Sequence, residues 1–416
     1  MHHFKYCDGE LYVEDVRIKD LVETYGTPIY VYSATTLRCH YEAFDSAFAT
    51  IPHLTCFAVK ACPNLCVLRL FKQHGAGMDI VSGGELFRAL AVGVPPQQIV
   101  YSGVGKQLHE IRQALEADIL MFNVESLQEL EAINACAVSM GRQARISLRI
   151  NPDVDPKTHP YISTGLIKNK FGLDIKSSMA IYRFAVGLPG IEPIGIDCHI
   201  GSQITSLDPF LETLDRLICI YDQLKAEGID IRYLDLGGGL GITYNDEEPP
   251  HPTAFGQALM PVLRECPMTV ILEPGRVIAG NAGLLVTRVV YTKETLNKHF
   301  IIVDAAMNDL IRPSFYGSHH HIGEVTLAGR TPIIADVVGP ICESGDFLAR
   351  DRKLPRVEQG ELLAIFSTGA YGFAMSSQYN SRPRAAELLV DGGNVILARH
   401  RETYRDLITL EQECLG

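Results

Sequence analysis

The sequence predicts an α/β protein: a (β/α)8 barrel followed by an antiparallel β-sandwich or β-barrel domain that also takes up the N-terminal segment. Three observations predict it. At 416 residues the chain exceeds the size at which one hydrophobic core usually stops growing. From about residue 35 to 280, short β-branched or aromatic runs alternate with amphipathic helical stretches, the rhythm of βα units on a parallel sheet. After Gly280 the rhythm changes to short strands separated by glycine and proline turns, with no long helix between them. The domains expected are therefore 35–280 for the barrel, and 1–34 with 281–416 for a β-domain.

In chain order, PIYVYS (28–33) reads as a strand that joins the β-domain as an edge element. The barrel strands follow as LTCFAV (54–59), GMDIV (77–81), QIVYSG (98–103), ILMFNV (119–124), ARISLRI (144–150), PIGIDCHI (193–200), IRYLDLGGG (231–239) and MTVILEPG (268–275). Eight such strands point to a closed barrel and not to an open doubly wound sheet. Between them, 84–93, 124–141 and 207–228 carry apolar residues at i, i+3, i+4 and i+7 and end on glycine, as helices covering a barrel do. GLLVTRVVYTKE, HFIIVDAA, TPIIADVVGP, ELLAIFSTGAYG and AELLVDGGNVILAR supply the strands of the second domain.

A composition of 47% hydrophobic and 21% charged residues is that of a packed globular protein. The net charge of -12 gives no basic stripe for nucleic acid or an anionic membrane, and a small-molecule enzyme is the better fit. The N-terminus carries early charges and no apolar stretch of signal-peptide type, and the eleven scattered cysteines read as reduced thiols, so a cytoplasmic protein is expected. The run His319-His320-His321 is not expected to bind a metal, because consecutive residues in an extended segment point to alternate sides; it reads as a solvated or interface loop.

Polar residues stand at the C-terminal ends of nearly every barrel strand, where barrel enzymes assemble their sites. Lys60, closing the first of them, would point an amine into a partly desolvated mouth, which lowers its pKa toward the nucleophilic free base. DLGGGLG (235–241) runs a strand into glycines whose N–H groups suit a phosphate, although a plain tight turn accounts for them equally well. In EPGR (273–276), Glu273 would hold a proton on a pyridine nitrogen, and Arg276 offers a planar donor fork to a phosphate or carboxylate. Lysine, phosphate cradle and ring-nitrogen carboxylate at one barrel mouth are what pyridoxal 5'-phosphate requires.

FAVKA around Lys60, GMDIVSGGEL around Asp79 and Glu85, SLRINP with Arg149, KFG at 170–172, HIGSQ at 199–203, DLGGGLG, EPGR, CESGD at 342–346 and GAYG at 369–372 occur in the order seen in the alanine-racemase-like-barrel decarboxylases. Within that class of fold type III pyridoxal phosphate enzymes, the sequence most resembles the diaminopimelate decarboxylases. The resemblance implies that Lys60 binds the cofactor covalently and that His199 stacks on its ring. It also implies cofactor contacts from Asp79, Ser202, Gly238, Gly239, Glu273, Pro274, Gly275, Arg276 and Tyr371. Cys342, which the residues alone would make a buried structural thiol, is by resemblance the acid that protonates the substrate carbon. In the family it arrives from the neighbouring subunit, which implies a homodimer with composite sites.

MNDLIRPSFYG (307–317) resembles the segment by which the family holds the distal carboxylate, giving Arg312 and Tyr316 that role, with Arg276, Glu343 and Tyr371 completing the substrate set. The expected reaction is decarboxylation of meso-2,6-diaminopimelate to L-lysine and CO2. Alternatives are a related decarboxylase of carboxynorspermidine or of ornithine or arginine, and a non-catalytic cofactor-binding paralogue. A paralogue of that kind would be expected to have lost Lys60 or Cys342.

Overall fold

The computed structural model describes residues 2–156, 158–159, 164–165 and 170–415. They divide into two compact units. One comprises His40–Ile242 with Glu248–Val277, the other Met1–Cys39, Thr243–Glu247 and Ile278–Gly416.

The first unit is the barrel. Strands His53–Ala58, Gly77–Ile80, Ile99–Tyr101, Met121–Val124, Ala144–Asn151, Ile191–Asp197, Tyr233–Asp235 and Thr269–Leu272 pair in parallel, each with the next. The last strand pairs with the first, Leu272 opposite Thr55, and closes the sheet. Most of these strands are buried on both faces, as expected of a parallel sheet wrapped by helices. Inside, Cys56, Val100, Met121, Ile194 and Ile271 pack as one layer, and burying each large aliphatic side chain contributes about 1.5–3 kcal/mol. The covering helices include Gly83–Ala91, Leu127–Ser139 and Asp208–Ala226; the first starts one residue before its expected start, and the other ends fall one to three residues inside. Ser82 and Ser126 set the first two by accepting the N–H of Glu85 and of Glu129. A two-residue strand, Leu173–Asp174, pairs with Ile150–Asn151 and has no counterpart in the sequence reading.

The second unit is built on a nine-stranded mixed sheet. Its organiser is the long strand Gly283–Glu294, antiparallel to Ile29–Ser33 and Leu362–Ile365 through its first half and to His299–Val303 through its second. Two ladders are parallel, His299–Val303 with Pro332–Val338 and Ile29–Ser33 with Ala386–Asp391. The N-terminal strand Ile29–Ser33 is therefore an interior strand, correcting the expectation of an edge. The physical reason is that all five of its residues are buried, and its two tyrosines spend their hydroxyls inside: Tyr30 donates to the Asp309 carbonyl at 2.6 Å and Tyr32 to Glu387 Oε1 at 2.8 Å. Ahead of it, a three-stranded antiparallel sheet over residues 4–17 and the helix Ile18–Tyr25 pack Leu11, Val13, Ile18 and Leu21 onto Ile29 and Val31.

Among the described residues no helix is long and apolar enough to cross a membrane.

Candidate active site

The barrel gathers ten of the expected site residues at the C-terminal ends of its strands. The first strand stops at Ala58, and Lys60 sits in the single 3-10 turn that follows, its side chain one third exposed. Its Nζ pairs with Oδ2 of Asp79 from the neighbouring strand, where Ala58 is registered against Asp79. Asp79 is fully buried, and among the described residues its Oδ1 has no hydrogen-bond partner.

The glycine segment is shaped by contacts that tolerate no side chain. Gly237 has φ +64° and a Cβ there would stand 2.6 Å from His199 Nδ1, while a Cβ on Gly238 would stand 2.1 Å from the Glu273 carbonyl. The Gly238 N–H donates to His199 Nδ1 at 3.0 Å. The Glu273 N–H donates to the Gly237 carbonyl at 2.7 Å, and the Ala58 N–H to the Pro274 carbonyl at 3.0 Å, so the Lys60 turn, the glycines and the Glu273-Pro274-Gly275 segment are stitched backbone to backbone. Gly275 leads into the one-turn helix Arg276–Ala279, and buried Arg276 donates from Nη2 to Ser202 Oγ at 3.1 Å.

Beneath these groups lies a buried polar network. Asn123 Nδ2 approaches Glu273 Oε1 at 3.4 Å, Asp235 Oδ2 at 3.2 Å and Ser102 Oγ at 3.0 Å, and Ser147 donates to Asn123 Oδ1 at 2.6 Å. Arg149 donates to Glu125 Oε1 at 3.0 Å and lies 4.0 Å from Asp197. Burial, then the charges of Asp235 and Asp79, push the Glu273 carboxyl well above its ordinary value against the opposing pull of Lys60 and Arg149. Burial and then Asp197 raise Asp235 to about 8. Burial holds His199 well below its ordinary value, assisted by the cations Arg149 and Lys60. Five buried carboxylates (Asp79, Glu125, Asp197, Asp235 and Glu273) thus share Lys60 and Arg149 as their cations, and the site favours a ligand that brings positive charge or a proton to Glu273.

The remaining expected residues belong to the β-domain. Arg312 and Tyr316 bound a one-turn helix, with Arg312 only 5% exposed and Tyr316 half-buried. Cys342 is exposed, its N–H donating to Asn380 Oδ1 at 2.8 Å, which overturns the buried structural thiol that the residues alone would favour. The turn stands at the surface, with Cys342, Glu343 and Ser344 all exposed and the Glu343 N–H returning to the Ile341 carbonyl at 2.8 Å. Glu343 is exposed and accepts from the Tyr379 hydroxyl at 2.8 Å. Tyr371 holds φ +57°, a left-handed conformation costly for a tyrosine, so the turn and not the residue's own preference fixes its position.

Sequence reasoning missed Asn123, Glu125, Asp197 and Asp235 and gave Arg149 no role. The signal was present as polar residues inside otherwise apolar strands, MFNV, ISLRIN, GID and YLD, with Glu125 directly after the first.

Residues 34–280 match the family model for the pyridoxal-binding domain of pyridoxal-dependent decarboxylases. The chain is 52% identical over 403 residues to the diaminopimelate decarboxylase of Aquifex aeolicus, covering 97% of this chain and 96% of that one. It is also 52% identical over 414 residues to the enzyme of that name from Haemophilus influenzae, covering 99% of both. The crystal structure of diaminopimelate decarboxylase from Helicobacter pylori complexed with L-lysine superposes with a TM-score of 0.92 at 44% identity, covering 95% of this chain and 100% of that one. On this likeness over nearly its whole length, the chain belongs to the diaminopimelate decarboxylases, within the pyridoxal-dependent decarboxylase family.

Proposed function

We propose that this chain removes one carboxylate of meso-2,6-diaminopimelate as CO2 to yield L-lysine, using pyridoxal 5'-phosphate, and that it works as a cytoplasmic homodimer in lysine biosynthesis. The observation that carries the reading is the barrel-mouth constellation: an amine at Lys60 beside buried Asp79, and a carboxylate at Glu273 made basic by its surroundings. The residues suit the cofactor. The orphaned Asp79 Oδ1, the acidic surroundings of Glu273 and the buried Arg276 beside Ser202 suit its aldehyde end, ring nitrogen and phosphate in turn.

When bound, the cofactor supplies an electron-withdrawing ring that takes up the electron pair left at the alpha carbon as CO2 departs. Lys60 would hold it through its amine, and Asp79, paired with that amine, would steady it. Glu273 keeps a proton on the ring nitrogen. His199, held neutral, would lie against the ring without adding a second cation. Ser202, Gly239, Pro274, Gly275, Arg276 and Tyr371 would receive the phosphate, Arg276 being paired to Ser202, while Gly238, its N–H engaged by His199, would shape the turn between them. Cys342 of the partner subunit returns a proton to the alpha carbon, a role suited to an exposed thiol that its own chain does not enclose. Arg312 and Tyr316 would take the distal carboxylate, and Glu343 of the partner subunit, arriving beside the partner's Cys342, the distal amine, with Arg276 and Tyr371 at the substrate's other end.

The test is stoichiometric. The cofactor-loaded protein should release one CO2 per L-lysine formed from meso-diaminopimelate, and Lys60→Ala should form neither. Turnover by Lys60→Ala at the wild-type rate would overturn the reading.

A further inference from the structure

The run His319-His320-His321 stands outside the proposed chemistry, yet its middle member is fully buried. His320 Nδ1 lies 2.9 Å from the Phe366 carbonyl, and its Nε2 lies 3.4 Å from Arg312 Nε. A carbonyl only accepts, so Nδ1 carries the hydrogen; a guanidinium only donates, so Nε2 presents its lone pair. The imidazole is thereby fixed as an acceptor for Arg312. On another side of the guanidinium, Tyr244 lies with its ring centroid 4.8 Å from Arg312 Cζ, and the His320 and Tyr244 rings meet edge to face at 5.2 Å.

These partners are themselves pinned. Arg352 Nη1 donates to the His320 carbonyl at 2.9 Å, and His319 Nδ1 reaches the Tyr244 carbonyl at 3.0 Å, so the His319-His320 pair grips both the arginine and its aromatic platform. Ser318 Oγ accepts from Arg312 Nη2 at 3.1 Å. With Nε committed to His320 and one Nη2 hydrogen to Ser318, the plane of the fork is set.

We propose that His320 and Tyr244 are positioning residues for substrate specificity: they hold the Arg312 guanidinium in the orientation that receives the distal carboxylate. The inference rests on Arg312 having that role. His320 and Ser318 accept from it and Tyr244 offers it an aromatic face, and these contacts orient the cation without themselves neutralising it.

The test is a double-mutant cycle on the cofactor-loaded full chain with meso-diaminopimelate. Losing the hydrogen bond to a charged group in His320→Leu should raise KM about tenfold while kcat and the visible cofactor spectrum change little. His320→Gln, whose amide oxygen can accept from Arg312, should recover most of the loss. Tyr244→Leu should raise KM, and Tyr244→Phe should not. The double variant Arg312→Ala with His320→Leu should be no worse than Arg312→Ala alone, because a positioning residue has nothing left to position.

Multiplying losses in the double variant, or a wild-type KM in His320→Leu, overturn the inference while leaving the role of Arg312 intact. A wild-type KM in Arg312→Ala would instead remove the reading on which it rests. If His320→Leu does not fold, Tyr244→Leu alone and combined with Arg312→Ala decides by the same criterion.

Discussion

The backbone N–H of Gly238 donates to His199 Nδ1 at 3.0 Å, so the glycine segment and the histidine are one unit. Because an N–H cannot accept, Nδ1 holds a lone pair and the imidazole is the neutral Nε2–H tautomer, in keeping with the downward shift of its pKa by burial, Arg149 and Lys60. A histidine whose folded pKa is depressed contributes stability above its unfolded pKa, near 6.5, and that contribution is lost as pH falls below it. Nitrogen-detected NMR of the ring should show no protonation of His199 between about pH 7.5 and its ordinary midpoint near 6.5. Half-protonation at that midpoint would contradict the arrangement.

Glu273→Gln should separate stability from rate. The folded pKa of Glu273 is raised, so its contribution to stability is present below the unfolded pKa, near 4.5, and is lost as pH rises above that value. Without cofactor, the Gln variant should therefore unfold at higher denaturant than wild type at neutral pH, and its stability should fall less between about pH 5 and pH 8. With cofactor, decarboxylation should drop by about a hundredfold or more, because a neutral amide cannot keep the ring nitrogen protonated. Near-normal turnover would remove Glu273 from the mechanism.

Arg312→Ala should weaken use of the distal carboxylate while sparing the cofactor. Removing one partner of a desolvated charge pair costs about 2–5 kcal/mol, or roughly 30-fold to several-thousand-fold in kcat/KM. Arg312→Lys should restore only part of this, since an ammonium cannot reproduce a planar fork. Steady-state kinetics on the three proteins, with visible spectra alongside, check it; wild-type kcat/KM in Arg312→Ala would contradict it.

If Cys342 serves the partner subunit's Lys60, then mixing inactive Lys60→Ala and Cys342→Ala chains should regenerate activity. One of the two sites of each hybrid dimer carries both residues, so about a quarter of wild-type activity is expected from statistical exchange of two equivalent sites. Full activity in a species that sediments as a monomer would contradict the composite site.

The barrel was legible because its βα periodicity is strong and its strands end in polar residues, Lys60, Asp79 and Glu273 among them. The β-domain was less so. PIYVYS looks like an edge by its position ahead of the barrel, but its unbroken apolar character, with both tyrosine hydroxyls engaged inside, is the mark of a covered strand. The exposure of Cys342 depends on a turn closed by Asn380, 38 residues away, which local pattern does not carry. Arg149 and Asp235 were quoted within motifs without a role, since nothing short of the closed sheet brings residues from separate strands around Glu273. The histidine triplet reads as a solvated or interface loop, yet His320 is fully buried, and its link to Arg312 required the fold of the segment that returns through Tyr244.

The most direct test of the account is substrate selection by the cofactor-loaded protein. CO2 release should be measured from meso-diaminopimelate, its other stereoisomers, ornithine, arginine and carboxynorspermidine under one set of conditions. The account predicts that meso-diaminopimelate has the highest kcat/KM and yields L-lysine in equal amount, with ornithine and arginine at least about a hundredfold poorer because they lack the distal carboxylate that Arg312 receives. Equal or faster release from ornithine, arginine or carboxynorspermidine would contradict it.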